Sequence, residues 1–430
     1  MTKRIKKIIL RNASIWINRY PCIYKLVKTI IPQIRVYDIA SLYKYVHLNN
    51  YIIREISDAV NREYGKPAST IDEYETWDYK VNIVRSCTRQ YVSLINNAII
   101  RGDTDGIIHG DLYLTDKVDF DEKGMCEHPP SGAFINNGRI LIYEKTNRPK
   151  RRYTNAICLV KMWSYNYFHF VIEGLSRLGS VEHLEEYKDW PIVLDECVKE
   201  DDRNLDIINL LNINNRKIIW IKKGEQIRIT NLLIPACMSW AIWDIKKSVN
   251  KGWGYMIAKD AGHYLRDTIL SRYEPKKSFD CVYVARGNNK RLTNETQVID
   301  KFKKAGFAIF YPDKAKTFDE EVDCFSTAKC IVLCAGGAST NLVFCNKDVD
   351  IFCILPFKYR SDSAQDITQT IGVTVKLRDA VIEEDKGFLM PSKFHFPLDK
   401  CQEIIEYCKQ KHYLPDSARE INSVESSLQS

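Results

Sequence analysis

No run in the sequence approaches ~18 consecutive apolar residues, so no segment reads as a bilayer-crossing helix. Glycine (19) and proline (14) are sparse in 430 residues, which excludes collagenous and low-complexity chains. There is no Cys-x-x-Cys pair, and the 14 cysteines stand mostly alone with no neighbouring Cys/His group, so structural zinc spacing is absent. The simplest expectation for such thiols is a reducing cytosol. No secretory signal is expected either, because Ile8-Ile9-Leu10 is too short for a hydrophobic core and Lys and Arg interrupt the residues after it. Neither G-x-G-x-x-G nor G-x-x-x-x-G-K-[ST] occurs, nor H-E-x-x-H, nor G-x-S-x-G.

Acid is absent from the first 35 positions, which hold nine Lys and Arg. The remaining 54 basic residues nearly balance 55 acidic ones, so the net charge of +8 belongs to one arm. A neutral body offers no extended positive face, and nucleic acid is not an expected partner. Within the arm Ile23, Leu26, Val27, Ile30, Ile31 and Ile34 recur at helical spacing, with Lys25 and Lys28 opposite and Pro21 and Pro32 as boundaries. Such a stripe suits the interface of an anionic membrane, or equally a helix packed on the protein's own core. The expected location is cytoplasmic, with the arm as the part that would touch the inner membrane face.

At ~100–200 residues per domain the chain has room for two or three. The expected divisions are 1–40, 41–270, 271–380 and 381–430. From Ser41 to Asn147 the pattern is mixed, apart from a strand over 138–144. Ala156–Met162, Ile192–Leu194 and Lys217–Ile221 then read as strands, separated by helices over Asn166–Leu178 and Arg203–Leu211. After Glu274-Pro275-Lys276-Lys277 the alternation restarts. Strands are expected at Cys281–Ala285, Phe307–Tyr311, Cys330–Cys334 and Ile351–Leu355. The helix from Asn294 has Gln297 at its capping-box position and Gly306 as its stop, and Thr317 with Glu320 forms a capping box for the next. Ser339–Cys345 reads as a short helix, and Leu398–Tyr413 as a last helix before a frayed tail over Ser423–Ser430. This order predicts an α/β protein with two parallel-sheet, doubly wound halves.

Three segments can carry chemistry. In Cys330-Ile-Val-Leu-Cys-Ala-Gly-Gly-Ala-Ser-Thr-Asn341 a strand runs through Gly336, Gly337 and Ala338 into a helix start with Ser339 and Thr340. Small residues let backbone approach a ligand, and a phosphate fits a helix N-terminus. Tight strand-to-helix turns without ligands use the same residues. Tyr283-Val-Ala-Arg-Gly-Asn-Asn-Lys-Arg-Leu-Thr-Asn-Glu295 brings Arg286, Lys290 and Arg291 to the carboxyl end of another strand, where parallel sheets bind ligands. In Asn166-Tyr-Phe-His-Phe-Val-Ile-Glu-Gly-Leu-Ser-Arg-Leu178, His169 and Glu173 share one helical face, with Asn166 and Arg177 near the same line. The pair suits a proton acceptor, or a buried contact that only locks the helix. Asp103-Thr-Asp105 and Asp119-Phe-Asp121 match the D-x-D of metal-using sugar transferases, but so short a match is frequent by chance. His109-Gly-Asp111 is likewise set aside, since Asp116 stands where a kinase loop needs Asn.

Taken in order, the three segments resemble glycosyltransferase family 61, whose bacterial members are often labelled capsular polysaccharide biosynthesis proteins. The resemblance rests on 166–178, on Arg286, Arg291, Asn294 and Glu295, on Phe318, Glu321, Val322, Phe325, Ser326 and Ala328, and on Gly336, Thr340, Asn341 and Phe344. It spans about 138–377. Ala335 departs from the His common before the turn, and Glu321 from a common Gln.

The resemblance implies a GT-B-like fold, two Rossmann-like halves facing across a cleft, with acceptor on the 41–270 half and nucleotide-sugar donor, UDP-linked, on the 271–380 half. It implies inversion without a metal or other cofactor. Arg286 and Arg291 with the Gly336–Asn341 turn would bind the diphosphate, Asn294 and Glu321 would position the nucleotide, and Asn166 and Arg177 would bind the acceptor, a glycan or lipid-linked glycan. The base is His169 or Glu173. The alternative is a silent module that binds glycan or nucleotide in a polysaccharide-assembly complex. A metal-dependent transferase using Asp119 and Asp121 is the second enzymatic reading.

Overall fold

The structure, a computed structural model, describes residues 34–57, 60–64, 83–87, 89–116, 133–136, 139–143, 149–242, 254–287, 291–356, 363–384 and 392–414. The amphipathic arm up to 33, Asp119-Phe-Asp121, Lys290 and the tail from Ser423 lie outside the described residues. Two compact units form, one mainly over 34–242 and the other mainly over 254–414.

The second unit is a five-stranded sheet in the order Ala308–Phe310, Cys281–Val284, Cys330–Cys334, Asp350–Leu355, Val375–Asp379, with every pairing parallel. In chain order this is second-first-third-fourth-fifth, a doubly wound topology. Strands in such a sheet are buried on both faces, and Cys281–Val284 and Cys330–Cys334 are buried at every position. Tyr283, Val332 and Phe352 share one core with Val298 and Phe302 of the helix Glu295–Lys304 and with Cys401, Ile404, Ile405 and Cys408 of the helix Leu398–Gln410. The alternate residues Val282, Ile331 and Ile351 are buried on the opposite face.

The anticipated strands and helices of this unit fall within a residue or two of their expected positions, except that the last helix, expected to Tyr413, ends at Gln410. Thr317 does precede the helix Phe318–Thr327, but its side chain makes no capping bond among the described residues. The strand Val375–Asp379 and the helix Ser363–Thr370 were not anticipated.

The first unit corrects the expectation of a second purely parallel half. Its parallel portion holds Ile218–Ile221, Ile192–Asp195, Arg151–Cys158 and Gln226–Pro235, third-second-first-fourth in chain order. Beyond Gln226–Pro235 the sheet continues through the antiparallel strand Gln90–Arg101 into hairpins and reaches eleven strands. The added strands come from the stretch before 147; Arg139–Tyr143 among them was anticipated, and mixed patterning hid the others. Gln90–Arg101 is buried along most of its length because it joins a core of Ile95, Ala98, Ile227, Ile229 and Val193.

The expected helix over 166–178 is also corrected. It is a wide π turn, His169–Gly174, followed by a tight 3-10 stretch, Leu175–Ser180. Gly174 at the junction is a weak helix former, and the Ser176 hydroxyl donates to Ile172 O at 2.5 Å, serving a carbonyl next to the change of pitch.

The long strand ends at Arg101, and Gly102 then bridges Lys223, just past the strand Ile218–Ile221. A Cβ on Gly102 would stand 2.2 Å from the Lys222 carbonyl oxygen, so only glycine permits this approach. The bridge delivers Asp103 and Asp105 to the exits of the parallel strands. Gly102→Ala is therefore expected to destabilise the protein by ~1–3 kcal/mol. An unchanged urea midpoint would show that the approach is not constrained.

Candidate active site

In the second unit, Cys281–Val284 and Cys330–Cys334 are the neighbours between which the strand order reverses. Connections leave them in opposite directions, and the gap outside their carboxyl ends is where open α/β sheets bind ligands. Arg286 leaves one strand and Gly336 the other. Arg286 Nη1 donates to Ala335 O at 2.7 Å, and a Cβ on Gly336 would lie 3.4 Å from both terminal guanidinium nitrogens, so the guanidinium lies along the turn. The Arg286 backbone N–H donates to Glu295 Oε1 at 2.6 Å, and the Tyr283 hydroxyl reaches the same oxygen at 3.4 Å. Burial raises the Glu295 carboxyl. Arg286 Nε is buried without a partner among the described residues.

Gly336 and Gly337 are exposed and Ala338 is half-buried, whereas Ser339, Thr340 and Asn341 are buried. The Ser339 hydroxyl accepts from Gly336 N at 3.3 Å, and Ser339 N donates to Gly336 O at 2.9 Å, so Ser339 closes the turn. Asn341 donates its side-chain amide to the Glu321 carboxylate beneath it. The surface open to a ligand is thus the backbone of 336–338 with the Arg286 guanidinium.

Arg291 donates Nε to Ser392 O at 3.4 Å and lies 6.0 Å from the Phe394 ring centre. Burial and then the charge of Arg286 lower its proton affinity, so the two guanidinium groups feel one another. An anion bound beside them relieves that repulsion. Asn294 faces elsewhere: its amide donates to Phe396 O at 2.8 Å and its carbonyl accepts from Phe396 N at 3.0 Å. It clamps the segment after Ser392 to the arginine-bearing loop.

In the first unit the strand Arg151–Cys158 exits into Lys161, which is buried. Its ammonium contacts Asp105 Oδ1 at 2.8 Å and Glu173 Oε2 at 3.1 Å. His169 Nδ1 lies 2.9 Å from the same Glu173 oxygen, a close polar contact without the geometry of a linear hydrogen bond. Burial alone would raise the Glu173 carboxyl, but Lys161 and then His169 overcome it and hold the value at about 2. Burial opposes the charge of Lys161 too, and Asp105 and Glu173 outweigh it, leaving the ammonium well above its ordinary range. The imidazole is flanked by Trp163 at 5.2 Å and by Phe168 edge-on at 5.5 Å between ring centres.

Carboxylates shape the turn beneath. Asp195, the last residue of its strand, accepts from Asp103 N at 2.7 Å, Lys161 N at 3.1 Å and the Ser164 hydroxyl at 2.8 Å. Burial nonetheless raises its carboxyl to about 6. Asp105 accepts from Met162 N at 3.1 Å and Asp103 from Trp163 N at 3.0 Å, which fixes Trp163 at φ +69°. Asp103 also pairs with Lys223. Arg177 is buried, donating to Val160 O at 3.0 Å and Gly174 O at 3.4 Å, and Asn166 accepts from Phe168 N at 3.0 Å. Both hold the turn that carries His169.

Residues 167–352 match the model of Glycosyltransferase 61. This region belongs to glycosyltransferase family 61. The match supports a transferase of the glycosyltransferase kind, which in general uses a sugar donor and a glycan acceptor. No curated protein matches the chain.

The family 61 match starts beyond Lys161 and Asp105, and the sequence pattern alone did not single out either, nor Asp195. The Asp103-Thr-Asp105 triplet was visible, but only the Gly102 bridge reveals that it binds backbone N–H groups and an ammonium.

The low Glu173 value has a consequence for acid stability. A carboxyl at about 2 when folded, against an ordinary 4.5, contributes stability above pH 4.5 that is lost as pH falls toward 2. Lys161→Met leaves two buried carboxylates without their cation, and is expected to destabilise by ~3–5 kcal/mol at pH 6. Urea midpoints at pH 3 and pH 6 check this: the variant should show a smaller difference between the two than the wild type, and equal differences would refute the coupling.

Proposed function

We propose that the protein transfers a sugar, with inversion, from a nucleotide diphosphate sugar, UDP-linked, to a glycan hydroxyl in surface or capsular polysaccharide synthesis. The observation that carries the reading is the Arg286 guanidinium held along the exposed Gly336–Gly337 backbone at the point where strand order reverses. A diphosphate leaving group gains negative charge in the transition state. Preorganised donors meet that charge without rearrangement, which is why such groups count for more than the same groups in water. Arg286, Arg291 and the backbone N–H groups of the turn supply it here in place of a divalent cation.

The acceptor hydroxyl attacks the anomeric carbon from the face opposite the nucleotide, the bond to the diphosphate oxygen breaks, and the hydroxyl proton passes to a base. A general base works best with an affinity near the operating pH. Glu173, held at about 2, is a poor proton acceptor at neutral pH. The imidazole of His169 takes that role, with Glu173 steadying the imidazolium and Lys161 fixing Glu173. We assign the reaction to the cytoplasmic face of the membrane, where the basic N-terminal arm meets anionic lipid and a lipid-linked glycan is within reach.

Release of nucleotide from a panel of UDP-, GDP- and CMP-sugars tests the donor class. Arg286→Ala is expected to lower turnover by at least ~10²-fold and to weaken donor binding, while EDTA leaves the wild type active. Near-normal turnover in the variant, or full loss with EDTA, would reject the cation-free diphosphate site.

His169→Asn should lower kcat by ~10²–10⁴-fold. Glu173→Gln should retain more activity than His169→Asn, and the reverse order would transfer the base role to Glu173.

A further inference from the structure

Three cysteines that the sequence scatters over 128 positions meet in the second unit. Cys281 and Cys330 are the first residues of adjacent strands and are paired in register. Cys408 lies on the buried face of the helix Leu398–Gln410. Their sulfurs all lie within 4.8 Å of one another, with Cys330 and Cys408 at 3.4 Å, and the three residues are 2% exposed or less. The Cys281 thiol also approaches Tyr413 O at 3.8 Å. A free cysteine often acts as a small apolar side chain, and Cys334 and Cys401 in the same core do so. What separates the other three is convergence: three elements turn their sulfurs to a common centre.

We propose that Cys281, Cys330 and Cys408 form a binding site for one soft, thiophilic d¹⁰ cation, of the copper(I) or zinc(II) kind. Three sulfurs each about 2.3 Å from one ion stand about 4.0 Å apart, between the closest pair and the outer limit of the cluster. Thiolate ligands select soft ions, whereas hard cations such as magnesium and calcium need six or more oxygen ligands, and the ligand set among the described residues is three sulfurs. The trigonal sulfur set favours copper(I), because zinc(II) prefers a fourth ligand. Each ligating thiol releases its proton to solvent, and no electron is transferred. The site lies at the amino ends of strands whose carboxyl ends carry Arg286 and Gly336, so its task is to fasten the last helix to the sheet rather than to contact substrate.

The inference is independent of the proposed transfer reaction, and its test uses no sugar substrate. The reduced full-length chain is titrated anaerobically with copper(I) buffered by bicinchoninate, and in a separate arm with zinc(II), and examined by native mass spectrometry, X-ray absorption and thermal unfolding. One ion per chain with three sulfur neighbours and a raised unfolding midpoint is the expected result. Cys408→Ser and Cys330→Ser should each weaken binding by at least ~100-fold, a loss beyond that of disturbing an outer-sphere partner. Cys197→Ser, at a half-buried cysteine outside the cluster, should leave binding unchanged. If a serine variant does not fold, the sulfur count in the wild type decides. A two-ligand shell, binding that survives both cluster variants, or a Cys330–Cys408 disulfide that persists under reductant would overturn the proposal. Zinc(II) bound by three sulfurs and one lighter atom would uphold the site and fix the ion as divalent.

Discussion

Parallel strands send all their exits to one edge of a sheet, and the chemistry of the second unit depends on that constraint. Cys281–Val284 and Cys330–Cys334 run side by side in the same direction, so the residues after them emerge together although 49 positions separate Arg286 from Ala335. Neither strand has freedom to spare, since each is buried along its whole length. The polar groups must therefore appear after the strands end. There the backbone is no longer paired in the sheet and becomes available to a ligand.

The first unit meets the same constraint with charge. Lys161 emerges from the strand Arg151–Cys158 into a buried position, where an ammonium alone would be strongly disfavoured. Asp105 and Glu173 make it tolerable, and it in turn keeps Glu173 ionised beside His169. The other carboxylates, Asp103 and Asp195, accept from backbone N–H groups and hold the turn on which the charged group depends. Asp195 works in the opposite pH sense to Glu173. Its carboxyl is raised to about 6 by burial, so its protonated form favours the fold most below pH 3.8 and that contribution fades as pH rises through 6.

Much of this was legible in the amino-acid order, for identifiable reasons. The second unit is local: each strand and helix is a contiguous apolar pattern with its own boundaries, and the arginine loop and the small-residue turn come after strands that period and composition reveal. The His169–Glu173 pair was visible because four residues span one turn, and it survives the change from the expected α-helix to a wider turn. The features that escaped depend on distant partners. The antiparallel strands of the first unit are set by pairing across more than a hundred residues, as between Gln90–Arg101 and Gln226–Pro235. Asn294, Arg177 and Ser339 looked like ligand groups by type, yet each is engaged by main-chain atoms that no spacing rule identifies. The sulfur cluster was hidden for the same reason.

The hold on Arg286 comes from the carbonyl of Ala335, a group that every amino acid possesses. Its aim is thus stored in the path of the chain and not in the identity of a neighbouring side chain. Position 335 can drift through substitutions that preserve that path while the guanidinium keeps its bearing, and the alanine found there illustrates the latitude. Gly336 next door stands against the same group, and a Cβ there would meet its two terminal nitrogens at 3.4 Å.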